Sequence, residues 1–297
     1  MTVTILSKAD YAGSGYKLCQ LLRKEGLDVD VVSYRRGTGN RRFNIKEPPT
    51  VLEYGKSKLK DRLFISDIVH FKGDWLVGDK WYGFSLPSKR VYTFSGCSFR
   101  RDLEDIVSKP RHDVSAYKAN YLSTFTPEMC YNKDIHLMEF PCLDFNYTFQ
   151  KQSKFKILHI PSNTERKGSN LIMEALKRIK RGDVEITYLS NVKRSEVLRM
   201  KQQASIYIDQ MVLPVYGNAA VESMSFGIPT MNWDNNHYPY PTPIIKPKER
   251  TVESIQEAIE NHLDWQILEK LSVSTFEYVR RIHGEVGKRW LNVYRNL

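Results

Sequence analysis

Residues 155–180 read FKILHIPSNTERKGSNLIMEALKRIK, and the fold class is indicated most clearly by this pattern. Its first six residues are mostly apolar, which predicts a buried strand, Phe155–Ile160. A polar loop follows, and a helix is predicted from Gly168 to Lys180, with apolar residues on one face: Leu171, Ile172, Ala175, Leu176 and Ile179. A strand, a loop and an amphipathic helix in this order predict one unit of a parallel sheet covered by helices.

The same alternation continues to residue 232. The pattern predicts three more strands, Val184–Leu189, Ser205–Asp209 and Ile228–Asn232. It predicts helices over Ser195–Ala204 and Asn218–Phe226, and Gly227 is placed to end the second of these. A doubly wound α/β sheet of this kind binds ligands at the carboxyl ends of its strands.

The first half of the chain carries a weaker form of this pattern. A helix is predicted over Gly15–Glu25, and the predicted strands are Val3–Leu6, Val29–Ser33, Ile68–Phe71, Val91–Phe94, Tyr121–Thr124 and Ile135–Glu139. The polar segment Gln150–Lys154 marks a domain boundary. The sequence therefore predicts a first domain over residues 1–150, a second over 151–275 and a closing helix over 276–297, broken at Gly284 or Gly287.

Length and composition agree with a foldable two-domain protein. The chain has 297 residues, of which 41% are hydrophobic, and it has no apolar run of the roughly 18–20 residues that a membrane span needs. The N-terminus lacks the features of a signal peptide. The four cysteines, at 19, 97, 130 and 142, have neither paired nor metal-binding spacing. We therefore expect a cytoplasmic protein without a metal site.

The net charge of +11 is concentrated most strongly in residues 35–62. That segment holds nine basic residues against three acidic ones, a local excess of +6 (9 − 3): Arg35, Arg36, Arg41, Arg42, Lys46, Lys56, Lys58, Lys60 and Arg62 against Glu47, Glu53 and Asp61. A basic surface attracts nucleic acid, anionic lipid headgroups or acidic glycans. A solvated loop without a partner is the alternative interpretation.

Two cations, Arg166 and Lys167, precede Gly168 at the predicted start of a helix. Free N–H groups and the helix dipole favour an anion at such a position, and two positive charges beside them suit a diphosphate. The alternative is that both cations are simply solvated.

A second cluster surrounds the predicted helix Asn218–Phe226. A strand ends at Asp209, a loop carries Tyr216 and Gly217, and Glu222 lies in the first two turns of the helix. A carboxylate there can accept hydrogen bonds from two hydroxyl groups, as a ribose offers, and glycine lets the backbone approach a phosphate. A buried Glu222 satisfied by the protein itself is the alternative.

Together, the two clusters resemble the GT-B glycosyltransferases of group 1, or family 4. The family's nucleotide-binding lobe has a Lys-Gly helix start, followed by a helix that reads like G-x-x-x-x-E-A-M-A-x-G-x-P, which here is Gly217–Pro229. The likeness covers residues 154–297 well and the first half weakly. It implies two Rossmann-like domains facing a central cleft, with a C-terminal helix that crosses back to the first domain.

The resemblance also implies an activity. It implies transfer from a nucleotide-diphosphate sugar, UDP-linked above all, with retention and without metal or another cofactor. Lys167 and Arg166 would neutralise the departing diphosphate, and Glu222 would hold the ribose. The implied donor-binding residues are Ser162, Asn163, Lys167, Tyr216, Gly217, Asn218 and Glu222.

On the acceptor side, Gly13, Ser14 and Gly15 resemble the family's glycine-rich loop. Ser95 and Gly96, with Arg100, resemble the segment near the reacting sugar. Three positions depart from the family pattern: Ser95 replaces a histidine, Pro214 the first of two glutamates, and Ser162 an arginine.

The acceptor itself stays open at this point. A glycan or lipid-linked glycan is the family's commonest acceptor, whereas the basic segment equally suits DNA with hydroxymethylated bases, a substrate of phage GT-B enzymes. A non-catalytic nucleic-acid-binding protein is a third hypothesis. Against it, the chain has no helix-turn-helix, zinc or base-stacking signature.

Overall fold

The computed structural model describes residues 1–7, 13–33, 61–72, 80–81, 84–94, 119–125, 127, 130, 134–234 and 238–297. The chain forms two compact units. The first contains Met1–Leu143 together with Glu285–Leu297, and the second contains Asp144–Gly284. Strands and helices are numbered below in their order along the described residues.

The described part of the first unit is built on a six-stranded parallel sheet. Its strand order is β2-β1-β3-β6-β7-β8, and the strands are β1 (Thr2–Ser7), β2 (Asp28–Ser33), β3 (Ile68–Lys72), β6 (Lys89–Phe94), β7 (Tyr121–Thr124) and β8 (Ile135–Leu137). Two short strands, β4 (Lys80–Trp81) and β5 (Phe84–Ser85), pair antiparallel beside it. Because β2 lies on one side of β1 and β3 on the other, the strand order reverses there, as at the ligand sites of doubly wound sheets.

Among the described residues of the first unit, α1 (Ser14–Lys24) and the last helix of the chain, α8 (Val286–Arg295), pack against the sheet. Trp290 and Tyr294 of α8 are fully buried in the same apolar cluster as the strands. Gly287 allows the two helices to approach closely, because a Cβ there would lie 3.0 Å from Cβ of Leu21. The last helix is therefore part of the core of the first unit.

The second unit contains a four-stranded parallel sheet in the order β10-β9-β11-β12 among its described residues. The strands are β9 (Phe155–His159), β10 (Val184–Tyr188), β11 (Ile206–Gln210) and β12 (Thr230–Asn232). The helices are α2 (Thr164–Lys167), α3 (Ser169–Arg178), α4 (Arg194–Lys201), α5 (Asn218–Met224), α6 (Val252–Glu260) and α7 (Trp265–His283). Two parallel-sheet α/β units confirm the predicted fold class.

The predicted start of the helix after β9 is wrong. The chain is already helical over Thr164–Lys167, where Asn163 caps the first turn, and a second helix begins at Ser169. Gly168 separates the two because it adopts the left-handed conformation with φ of 67°, which glycine adopts without steric cost. Lys167 and Arg166 consequently lie in a short helix of their own.

The end of the chain also differs from the sequence-based expectation of a helix over 276–297. Helix α7 already begins at Trp265 and ends at His283, with Gly284 as its C-cap, and α8 follows. Asp264 explains the earlier start, because its carboxylate accepts hydrogen bonds from the backbone N–H groups of Gln266 and Ile267. Among the described residues, every helix is too short or too polar to cross a bilayer.

Candidate functional site

The site begins where β9 and β11, which are neighbours in the sheet, end at the same edge. The loop after β9 lies against the residues that follow β11, because the backbone N–H of Met211 donates to the carbonyl of Lys167 at 3.0 Å. A Cβ on Gly168 would lie 3.1 Å from Cγ2 of Val212. Glycine at this position therefore both turns the chain and allows the two loops to pack together.

Lys167 is brought against Asp209 at this edge. Its Nζ lies 2.5 Å from Oδ1 of Asp209, whose side chain is fully buried. The other carboxylate oxygen, Oδ2, accepts a hydrogen bond from the backbone N–H of Gly217 at 3.1 Å. Asp209 thus joins the cation of the first sequence motif to the glycine that precedes α5.

Glu222 is held by two cations of helix α4. Its Oε1 lies 2.5 Å from Nη2 of Arg194, and its Oε2 lies 3.3 Å from Nζ of Lys201. The exposed fractions of the side chains are 28% for Arg194, 11% for Glu222 and 1% for Lys201. The carboxylate therefore lies at the border between the interior and solvent.

Lys201 is a buried lysine with several partners. Its Nζ donates to the carbonyl of Ala219 at 2.7 Å and lies 4.5 Å from the centroid of the Tyr207 ring. Burial lowers the pKa of Lys201 to about 8, while the charges of Glu222 and Asp209 oppose this shift. At neutral pH, Lys201 is therefore predominantly charged.

These five residues, Lys167, Arg194, Lys201, Asp209 and Glu222, form what we term the charge cluster. Three cations and two carboxylates give the cluster a net charge of +1 (3 − 2), and its Lys167–Asp209 pair lies where β9 and β11 end. A positive charge that is partly removed from water interacts more strongly with an anion than a fully solvated one. The cluster is accordingly suited to a negatively charged ligand.

The remaining donor-side residues of the first motif precede Lys167 in the chain. Ser162, Asn163 and Arg166 are exposed in the loop after β9 and in α2. Oδ1 of Asn163 accepts a hydrogen bond from the backbone N–H of Arg166 at 2.8 Å, so this side chain acts as a helix cap. The preceding strand ends with His159, whose Nδ1 donates to the carbonyl of Ile208 at 2.9 Å.

Tyr216 and Asn218 flank Gly217 but differ in their surroundings. The Tyr216 ring is buried and stacks on Tyr238 with 4.4 Å between ring centroids. Its hydroxyl lies 2.7 Å from that of Tyr278, so the side chain is hydrogen-bonded within an aromatic cluster of the second unit. Oδ1 of Asn218, in contrast, is buried and meets no hydrogen-bond donor among the residues that the structure describes. Of the two, Asn218 has the polar atom that a ligand could satisfy.

The predicted acceptor-side residues lie in the first unit, and the structure describes three of them. Gly13 has φ of 64° and precedes α1, while Ser14 and Gly15 are buried in its first turn. The Ser14 hydroxyl accepts a hydrogen bond from Nζ of Lys72 at the end of β3. Lys72 is itself buried, with Nζ 5.5 Å from the Phe125 ring centroid. Ser95, Gly96 and Arg100 lie outside the described residues.

Sequence reasoning missed Arg194, Lys201 and Lys72, and it gave Asp209 no role. One signal was present: Arg194 and Lys201 are seven residues apart, which places both on one face of a helix. Their shared partner, Glu222, could not be read from that spacing. In the described part of the chain, no group of three His, Cys, Asp or Glu side chains could hold a metal ion.

No protein-family model and no curated protein sequence matches this chain. Solved structures do match, over nearly the full length. An α-glucosyltransferase solved with UDP and a 13-mer DNA containing an HMU base has a TM-score of 0.67 and 12% identity, with 99% of both chains covered.

Two further structures also match nearly the whole chain. Sucrose-phosphate synthase from Thermosynechococcus elongatus has a TM-score of 0.68 and 13% identity, covering 100% of this chain and 99% of that one. WaaG, a glycosyltransferase involved in lipopolysaccharide biosynthesis, has a TM-score of 0.61 and 14% identity, with coverage of 98% and 99%. These likenesses show that the chain has the GT-B fold, which confirms the fold implied by its motifs.

Proposed function

We propose that this protein is a glycosyltransferase that moves a sugar from a nucleotide-diphosphate sugar to an acceptor hydroxyl. The observation that carries the proposal is the charge cluster, which has a net charge of +1 and whose Lys167–Asp209 pair lies at the carboxyl ends of β9 and β11. It is the edge of a doubly wound sheet where nucleotides bind. Similar structures with the same fold have been solved with UDP or ADP.

In this proposal, Lys167 and Arg166 stabilise the departing diphosphate. Negative charge builds up on the leaving group as the glycosidic carbon–oxygen bond breaks, and fixed cations lower the energy of that state. Asp209 holds the Lys167 ammonium in place through a contact of 2.5 Å, so little reorganisation is needed when the diphosphate binds. Arg166 is exposed in the same short helix and supplies the second charge.

Glu222 and Asn218 complete the nucleotide side. A carboxylate can accept several hydrogen bonds at once, so Glu222 is a suitable acceptor for ribose hydroxyls. Oδ1 of Asn218 is buried without a donor from the described part of the chain, and a ligand hydroxyl or N–H group would satisfy it. A Cβ on Gly217 would lie 3.6 Å from Oδ2 of Asp209 and 3.9 Å from Nζ of Lys167. It would occupy space beside the ammonium that glycine leaves open to the phosphates.

We further propose that transfer retains the anomeric configuration and needs no metal. The bond to the diphosphate breaks, the new bond to the acceptor oxygen forms on the same face of the sugar, and the acceptor proton leaves with the diphosphate. The cations of the cluster then supply the charge stabilisation that a divalent metal would otherwise provide.

The test is calorimetric binding of UDP, ADP and GDP sugars, followed by mass spectrometry of the released nucleotide. Binding should be unchanged by EDTA, and NMR of the product should show the anomer of the donor. Lys167→Met should weaken binding and turnover, whereas Lys248→Met, which alters an exposed ion pair, should not. Binding that requires Mg²⁺ or Mn²⁺ would contradict the metal-free proposal, and a protein that binds none of these donors would contradict the assignment itself.

DNA is the second candidate for the acceptor, beside a glycan or lipid-linked glycan. It is favoured by the net charge of +11, by the excess of +6 in residues 35–62, and by the similar structure that contains DNA. Arg62 is one of the nine basic residues of this segment, but we do not expect it to contact a phosphate. Its guanidinium is already paired with Asp28 at 3.2 Å and with Asp30 at 2.8 Å.

Salt dependence separates these acceptors. On duplex DNA, log affinity should fall with log salt by about 0.9 for each phosphate contact. Replacing Arg35, Arg36, Arg41 and Arg42 with Gln should flatten this slope and weaken binding to all sequences alike. Weak duplex binding at about 50 mM salt that the replacements leave unchanged would favour the glycan acceptor. Anionic vesicles should be assayed in parallel, and DNA binding without sugar transfer would indicate a non-catalytic binding protein.

A further inference from the structure

Helix α4 carries two cations that converge on one carboxylate. Arg194 is the first residue of the helix and Lys201 is the last. A separation of seven residues places both side chains on the same face, two turns apart. Glu222 lies between them, with Oε1 against Arg194 at 2.5 Å and Oε2 against Lys201 at 3.3 Å.

Together, the two contacts fix the orientation of the Glu222 carboxylate. An ion pair at only one oxygen would allow the carboxylate to rotate about its terminal bond, since that torsion has a broad energy profile. Partners on both oxygens fix the plane of the carboxylate. Lys201 also donates to the carbonyl of Ala219 at 2.7 Å, which ties the same ammonium to the first turn of α5.

We propose that Arg194 and Lys201 are positioning residues that together aim the Glu222 carboxylate at the ribose hydroxyls of the donor. We term this arrangement the α4 clamp. The inference rests on the proposed function and goes beyond it, since it assigns helix α4 a role in recognising the ribose of the nucleotide. The burial of Lys201 is consistent with this task, because a buried ammonium with a fixed set of partners has little freedom to move.

The test compares the affinities of UDP and 2′,3′-dideoxy-UDP, with the ADP and GDP pairs in parallel. The variants are Arg194→Gln, Arg194→Lys and Lys201→Met. The control is Arg199→Gln, since Arg199 is exposed on the same helix. Loss of the hydroxyls should weaken wild-type binding on the order of tenfold, because hydrogen bonds to a charged group are lost.

The quantity compared is the Kd of the dideoxy nucleotide divided by the Kd of the unmodified one. In the Arg194→Gln and Lys201→Met variants this ratio should fall towards one, whereas Arg194→Lys and Arg199→Gln should retain it. A general loss of structure would instead weaken both nucleotides equally. In turnover assays, the clamp variants should raise KM for the donor more than they lower kcat. Arg194→Gln keeps the test decisive if Lys201→Met fails to fold, because Arg194 is partly exposed.

Three outcomes would overturn the inference, and they are distinguishable. A wild-type protein that binds none of the diphosphates would overturn the proposed function and the α4 clamp with it. Equal wild-type affinity for the two members of each pair would leave diphosphate binding in place and remove the clamp. A tenfold preference that persists in Arg194→Gln would show that Glu222 needs no positioning by α4.

Discussion

The ammonium of Lys167 lies 2.5 Å from the carboxylate of Asp209, although the two residues are separated by 42 positions in the chain. The Asp209 side chain is fully buried, and its second oxygen accepts from Gly217. The cation expected to face the diphosphate is therefore also the partner of a buried anion. This dual role leads to the first prediction.

Lys167→Met should reduce both catalysis and stability. Loss of the charge at the leaving group should raise the transition-state energy by about 2–4 kcal/mol, measured as kcat/KM for the donor. Asp209 would lose its only cation at contact distance among the described residues, and breaking a buried pair costs about 3–5 kcal/mol of unfolding free energy. Adding Asp209→Asn should restore part of the stability but none of the activity.

The matched control for this variant is Lys248→Met. Lys248 pairs with Glu257 at 3.0 Å, and 80% of its side chain is exposed. Such surface pairs contribute about 0–1 kcal/mol. Urea unfolding would contradict the prediction if the two methionine variants were equally stable.

Gly227→Ala should destabilise the second unit by about 2–4 kcal/mol. Gly227 has φ of 74°, a conformation that costs an L-residue about 1–2 kcal/mol. The new Cβ would also lie 2.6 Å from the Tyr147 ring, and overpacking costs about 1–3 kcal/mol. Gly182→Ala is the control, since a Cβ there meets nothing within 4 Å. The stability of both variants is measured from the midpoints of urea unfolding. Similar losses of stability in the two variants would contradict the prediction.

His70 should make the protein less stable in mild acid. Its Nδ1 lies 2.7 Å from the hydroxyl of Tyr294 and its Nε2 lies 2.6 Å from that of Thr93, inside the first unit. Burial, with a smaller contribution from the charge of Lys72, holds the pKa of His70 well below its usual value of 6.5. Below pH 6.5 the unfolded chain therefore binds a proton that the folded chain does not, and the unfolding free energy falls as pH falls.

The measurement is the urea midpoint of the wild type and of His70→Gln at pH 7.5, 6.5 and 5.5. The variant should lose less stability than the wild type on going to pH 5.5. Because burial also lowers the pKa of His159, a His70→Gln/His159→Gln variant should show a still flatter dependence. If the urea midpoint changed equally with pH in all three proteins, the buried histidines would not be the origin of the acid sensitivity.

Lys201 should produce a trend of the same sign in alkaline solution, because its pKa is also lowered in the folded state. Burial lowers its pKa in the folded state to about 8, from an ordinary value of 10.5. Glu222 and Asp209 favour the charged form, and Arg194 disfavours it. Between pH 8 and 9.5 the unfolded chain therefore binds more protons, so this group adds stability as pH rises.

The measurement is the unfolding free energy of the wild type minus that of Lys201→Met. This difference should grow from pH 7.5 to pH 9.5, and the preference for nucleotides with ribose hydroxyls should weaken over the same range as the ammonium is lost. A difference that stays constant with pH would show that Lys201 does not titrate there.

The fold class followed from the sequence alone, and the location of the candidate site remains a prediction from it. The periodic spacing of apolar residues in 155–180 and its repetition as far as 232 predict strands and helices, because burial of one face depends on local spacing. The Lys-Gly motif at 167–168 and the helix from Gly217 identify the edge of the sheet where a ligand would bind. The break at Gly168 and the start of α7 at Trp265 were missed, since they depend on single turns and caps, whereas the predicted break at Gly284 was found.

Only the tertiary structure decided the partners of the charged residues. The pairing of Lys167 with Asp209 requires β9 and β11 to be neighbours in the sheet, although β10 lies between them in the chain. The contacts of Glu222 with Arg194 and Lys201 likewise require α4 and α5 to pack side by side. Such contacts depend on strand order and helix packing, and a one-dimensional pattern contains neither.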